Sequence, residues 1–194
     1  MVNEEISEKE SPEPVNEEMV PQVDAVTAET TEVVLEEEVV IKEPLSEKET
    51  FKLLTDSLVT SGEGYAAHSG KDTVNVFAEE VRNAVTINTA VSYNIWGLNV
   101  QEAVYSTKKL REEGNLLTFQ MYMESGSKET MTVDIYVSDS EVPDHEFVLE
   151  ASNAPVCCTV DISKGDTLRI VATNHASVYN RVVLYDFKLG ADGV

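Results

Sequence analysis

Residues Thr173-Asn174-His175-Ala-Ser-Val-Tyr179-Asn180-Arg181 put two amides, an imidazole, a phenol and a guanidinium into one connection. Planar amide and guanidinium groups can hold two oxygens at once, and aromatic faces stack on the C–H faces of a sugar ring. The chemistry of this segment is recognition of a hydroxyl-rich ligand, with Asn174, His175, Tyr179, Asn180 and Arg181 as candidate contacts. The competing reading is a polar turn between two core strands. A second segment, Glu63-Gly64-Tyr65-Ala-Ala-His68, can bring Tyr65 and His68 toward the same end. The single Trp, Trp96, sits between Ile95 and Gly97, where it serves either as a stacking platform or as a plug at a sheet end.

Catalysis is a poorer match. His68, His145 and His175 fall in three different expected loops, with no His-x-x-x-His spacing that would hold a metal. There is no nucleophile elbow, no phosphate-binding loop and no Gly-x-Gly-x-x-Gly. Carboxylate pairs such as Glu112/Glu113 and Asp144/Glu146 lie in charged stretches whose ordinary explanation is solvation. No cofactor and no metal are expected. A structural Ca²⁺ site is compatible with the acidity, but no Asp-rich loop of recognisable spacing supports it. The adjacent Cys157 and Cys158 point to opposite faces of a strand, so they make no ordinary disulfide; one thiol is expected in the core and one outside.

The elements that must position these groups are short strands. Leu117, Phe119, Met121 and Met123 alternate with Thr118, Gln120 and Tyr122, which is a half-buried strand. Met131, Val133, Ile135 and Val137 repeat the pattern after a Glu-Ser-Gly-Ser-Lys turn, predicting an antiparallel hairpin. Strands are also expected over Glu146–Glu150, Val156–Ile162, Thr167–Thr173 and Arg181–Leu189, the last with Val183, Tyr185, Phe187 and Leu189 on one face. Upstream, Val74–Phe77, Ala84–Asn88 and Ala90–Ile95 read as shorter strands, and Ser61–Gly70 as a loop. Many short strands at near-regular spacing predict an all-β, two-sheet sandwich. Ser46 with Glu49 three residues on resembles a capping box ahead of Phe51, Leu54 and Leu58. Two readings stand there: a helix, or a strand over Phe51–Leu54 followed by a turn.

Ahead of the strands the composition changes. Residues 1–50 carry 16 Asp and Glu against 3 Lys and no aromatic residue, a net of −13 within the total of −22. Pro12, Pro14, Pro21 and Pro44 interrupt this tract, which cannot bury enough apolar surface to offset its chain entropy. The expected organisation is a disordered acidic tail over 1–45 and a single domain over 46–194. An acidic chain without clustered Lys and Arg is unsuited to nucleic acid or to an anionic membrane, and no apolar run nears the roughly 18 residues of a span. The N-terminus lacks the basic and apolar regions of a signal peptide, which reads as cytoplasmic; the alternative is a piece of a longer exported or cell-surface protein.

Taken in order, the motifs resemble a family. Phe51-Lys-Leu-Leu-Thr-Asp56-Ser, Ser61-Gly-Glu-Gly-Tyr65, Asn83-Ala-Val-Thr-Ile87 and Ala90-Val-Ser-Tyr93-Asn94-Ile-Trp-Gly97 look like the opening half of the NPCBM domains, the novel putative carbohydrate-binding modules. Val160-Asp161-Ile-Ser-Lys-Gly-Asp-Thr-Leu168-Arg-Ile170 is similar to that family's closing run. The resemblance spans most of 51–190. It implies a galactose-binding-like jelly-roll sandwich and a non-catalytic accessory role, often in bacterial glycan-processing proteins. The chain departs from sugar-binding members at the last strand, where Tyr185-Asp186-Phe187 stands without a Trp. The fold therefore carries over more securely than the sugar site. The expected function is binding of a glycan through loops at one end of the sandwich, or of a protein partner by a domain that keeps the fold without that site.

Overall fold

Alternation gives each strand one apolar face, and two such faces close over each other to leave water. The computed structural model describes residues 43–89, 99–125, 130–151, 153–175 and 180–190. The chain divides into units 1–40 and 41–194, and every described residue belongs to the second. The tail expected over 1–45, apart from residues 43–45, and the strand expected over Ala90–Ile95 lie outside the described residues.

A first helix, α1 (Glu47–Asp56), leads into strands β1 (Leu58–Ser61), β2 (Tyr65–His68), β3 (Val74–Val76), β4 (Glu79–Val81), β5 (Ala84–Asn88) and β6 (Asn99–Ser106). A short helix, α2 (Lys108–Arg111), precedes β7 (Leu116–Ser125), β8 (Thr130–Val137), β9 (His145–Glu150), β10 (Val156–Asp161), β11 (Thr167–Asn174) and β12 (Asn180–Gly190). The first sheet runs β1-β6-β11-β8-β9 and the second β10-β7-β12-β5-β2, with all pairs antiparallel; β3 and β4 form a separate hairpin. The result is an all-β jelly-roll sandwich. No described helix is long and apolar enough to cross a membrane.

The capping box settles the choice at the start. The Ser46 side chain accepts a hydrogen bond from the Glu49 amide, and the Ser46 amide donates back to the Glu49 carboxylate at 3.0 Å. The helix it starts buries Phe51 and Leu54, three residues apart on one face, and Phe51 meets Phe187 with ring centroids 6.1 Å apart. Phe187 in turn lies 5.8 Å from Phe119, so helix and second sheet share one aromatic cluster.

Several expectations are corrected. The predicted hairpin of Leu117–Met123 with Met131–Val137 does not form: β7 belongs to the second sheet and β8 to the first. Both sets of inward residues enter one core from opposite sides. Alternation alone cannot tell two strands side by side from two strands face to face. Ser61–Gly70 is not a single loop but holds the end of β1 and all of β2 as short edge strands. Nor do Val183, Tyr185, Phe187 and Leu189 share a face. Val183 and Tyr185 point outward to a second, smaller cluster, whereas Phe187 and Leu189 point into the main core. The cause is a bulge between Tyr185 and Lys188, where Asp186 takes φ +55° and one extra residue flips the strand.

Adjacent cysteines fall as alternation requires, Cys157 exposed and Cys158 buried. Burial, aided by the neighbouring Cys157, pushes the Cys158 thiol up to about 12, which makes it an inert core group at neutral pH.

Candidate functional site

The connection singled out in the sequence sends its residues to three different places. Asn174 ends β11 in the first sheet and Asn180 starts β12 in the second. Both are buried, and the Asn180 amide donates to the Asn174 side-chain oxygen at 2.9 Å. Thr89 adds to the junction by donating its hydroxyl to the Asn180 carbonyl at 2.9 Å. These two amides fasten the sheets to each other at this end. His175 lies on the exposed outer side of the first sheet, with Nε2 3.3 Å from the Thr132 hydroxyl. Arg181 lies on the second sheet. Trp96 and Tyr179 fall outside the described residues.

Around Arg181 the register builds a polar patch. On β12 it faces Glu124 of β7 on one side and Asn88 of β5 on the other. Its guanidinium donates through Nε and Nη2 to the Glu124 carboxylate, and both side chains stay partly open to solvent. Two residues along β5, Thr86 hydrogen-bonds His68 of β2, with Oγ1 3.0 Å from Nε2. Burial first, and then the Arg181 charge, lower the His68 pKa against a smaller opposing effect of Asp72, so the imidazole is neutral at physiological pH. The outcome is a guanidinium–carboxylate pair, an amide, a hydroxyl and a neutral imidazole on one sheet face.

Gly64 allows the neighbouring turn to lie against this face. A side chain at Gly64 would collide with the Asn88 carbonyl, and the Gly64 carbonyl accepts from the Asn88 amide at 2.8 Å. Tyr65, the second residue singled out in that segment, is half-buried against the core beside Tyr105. Burial raises both phenol pKa values, most strongly for Tyr105, and the two hydroxyls interact with each other, which adds to the rise for Tyr105 and opposes it for Tyr65.

Three strand ends of the second sheet, at Asn88, Ser125 and Asn180, lie next to one another in register, as do those of the first sheet at Asn174, Asn99 and Met131. The connections between β5 and β6, β7 and β8, and β11 and β12 therefore all depart from this end. Among the described residues no three His, Cys, Asp or Glu side chains gather closely enough to hold a metal ion.

Sequence reasoning missed Glu124, Thr86 and Asn88, because each reads as the polar member of an alternating strand. It also missed that β3 and β4 fold over the same sheet. There Val74, Val76, Ala84 and Val183 form a second small core, with Val81, Tyr122 and Tyr185 packed against it. The available signal in Val74-Asn-Val-Phe-Ala-Glu-Glu-Val81 was weak, because Val74-Asn-Val76 alternates but Glu79-Glu80-Val81 does not, and Phe77-Ala78 is not a usual hairpin turn pair.

No protein-family model matches the chain, and no curated protein matches it. Similar solved structures include CBM51 from Clostridium perfringens GH95 in complex with methyl-galactose, at 14% identity and TM-score 0.47 over 67% of this chain and 90% of that one. A second comprises the CBM51-2 and INT domains of Clostridium perfringens ZmpB, at 10% identity and TM-score 0.46 over 67% of this chain and 30% of that one. A third is a family 11 carbohydrate-binding module from Clostridium thermocellum in complex with a β-1,3-1,4-mixed-linked tetrasaccharide, at 11% identity and TM-score 0.32 over 70% of this chain and 95% of that one. All three are carbohydrate-binding modules. At these identities and scores the likeness carries no argument about the ligand of this chain, whose sandwich rests on its own strand pairing.

Proposed function

We propose that this domain is a non-catalytic binding module whose ligand is a carbohydrate, taken at the sandwich end from which the three connections depart. One observation carries the reading: Arg181, Glu124, Asn88, Thr86 and His68 occupy neighbouring positions on one sheet face. A paired guanidinium and carboxylate with an adjacent amide offers fixed donors and acceptors for vicinal hydroxyls, and the neutral His68 adds no charge. The buried amides Asn174 and Asn180 hold that end rigid, which lowers the entropic cost of binding. Trp96 and Tyr179, by their place in two of the connections, are the sequence's candidates for a stacking face.

The test is a glycan array probed with the full chain, alongside Arg181→Met/Glu124→Gln, which removes both charges together. Saccharide binding by the native chain that falls at least tenfold in the double variant, with an unchanged melting temperature, supports the proposal. Silence across a broad array removes it and favours a protein partner.

A further inference from the structure

Phe77 stands apart from the buried phenylalanines. Phe51, Phe119 and Phe187 are almost wholly buried, whereas Phe77 is 51% exposed at the tip of the β3–β4 hairpin. It does not hang free: its ring lies 5.1 Å from that of Tyr122, tilted by 48°. The turn that presents it has φ +50° at Phe77 and +64° at Ala78. Left-handed backbone is costly for a non-glycine residue, and Asn-Gly would serve this turn with less strain. The conformation persists because the hairpin pairs Val76 with Glu79 and seats Val74 and Val76 on Ala84 and Val183. A strained turn thus holds an aromatic ring in solvent above a second aromatic ring.

We infer that Phe77 and Tyr122 form a separate stacking subsite for a further ring of the carbohydrate, so that the domain binds oligosaccharides in preference to single sugars. This rests on the carbohydrate reading above. Gln120, Tyr122 and Glu124 lie at every second position of β7 and share its outward face, with neighbours on that face about 7 Å apart. The Arg181–Glu124 pair therefore lies one such step from the aromatic pair, a spacing suited to successive rings of one chain. Gln120 continues the line, pairing in register with Tyr185 on one side and Cys157 on the other, and supplies an amide beyond the rings. The surroundings select the ligand's charge. Glu79 and Glu80 are exposed on the hairpin itself, and Asp186 lies beside Tyr185, so acidic sugars and nucleic acid are repelled and neutral rings are accepted.

The test is calorimetric titration of the full chain with uncharged gluco-, manno- and galacto-oligosaccharides of one to six units. Native protein, Phe77→Ala, Phe77→Trp and Arg181→Met/Glu124→Gln are compared, with melting temperatures as the control for folding. The inference expects native affinity to rise with chain length and Phe77→Ala to lose that gain. The loss should be about tenfold for the longer chains, with single-sugar affinity unchanged and Phe77→Trp restoring the gain. Affinity independent of length, or unaffected by Phe77→Ala while the double variant abolishes it, overturns this inference and leaves the carbohydrate reading standing. A Phe77→Ala loss of equal size for single sugars also overturns the separate subsite. No binding to any of these saccharides removes both.

Discussion

The two sheets share one core yet treat their outward sides differently. On the first sheet some outward residues pair with one another: Arg169 lies 4.1 Å over the Tyr136 ring and 3.9 Å from Glu102, and Thr132 contacts His175. No described element covers them. On the second sheet the outward row is partly apolar, and the β3–β4 hairpin lies over it. Only there does the outer side combine a buried patch, an exposed aromatic ring and a guanidinium–carboxylate pair. Equal alternation can therefore conceal unequal faces: the first sheet leaves outward Val100 and Val148 exposed, whereas the hairpin covers Val183 of the second.

The largest test of that contrast exchanges equivalent valines for serine. Val183→Ser empties part of the small core and buries a hydroxyl, and should cost about 2–3 kcal/mol in chemical unfolding. Val171→Ser, outward on the first sheet, should cost less than about 1 kcal/mol. Equal losses would mean that the hairpin does not shelter its sheet.

A smaller effect separates the faces by pH. The His68 pKa is lowered from its ordinary 6.5, so the unfolded chain takes up this proton first and stability falls as pH drops below 6.5 toward the folded value. Urea midpoints at pH 7.5 and 5.5 should converge in His68→Gln relative to the native chain. An unchanged difference would show that burial and Arg181 together do not depress the His68 pKa.

The smallest effect is on the first sheet and has the opposite sign. Burial, and then Glu146 directly opposite, raise the Asp134 pKa above 3.8, against a smaller effect of His175. One Asp134 oxygen is buried without a hydrogen-bond partner. The ionised form is disfavoured in the fold, so its stability contribution is complete below pH 3.8 and is lost as pH rises through the folded value. Asp134→Asn should raise the melting temperature at pH 7 and leave it nearly unchanged at pH 3. A fall at pH 7 would mean that the carboxylate makes a needed contact.

How much of this was legible in the sequence depended on how local the determinant was. The Ser46–Glu49 box announces α1 because both partners lie within one turn. Strands β7, β8, β10 and β11 announce themselves because each alternates cleanly. Strand β6 did not: only Ala103 and Tyr105 enter the core from it, while outward Val100 and Val104 blur the period. Sheet membership was hidden as well, since β7 and β8 are adjacent in sequence but face each other across the core. The candidate site suffered most. Asn174, His175, Asn180 and Arg181 are close in sequence, yet a change of sheet sends them to the interior and to two opposite surfaces. Their partners Glu124, Thr86 and Asn88 come from strands far away in the chain.

The bulge at Asp186 decides which surface the end of β12 serves. Before it the strand offers Val183 and Tyr185 to the hairpin side, and after it Phe187 and Leu189 to the interior. Removing Asp186 would set Phe187 directly after Tyr185 and opposite Phe119, still facing the interior; keeping Asp186 but pairing it regularly would instead turn Phe187 out to water and Lys188 in. The backbone conformation at Asp186, rather than the number of residues in the strand, keeps the apolar end of β12 on the inside.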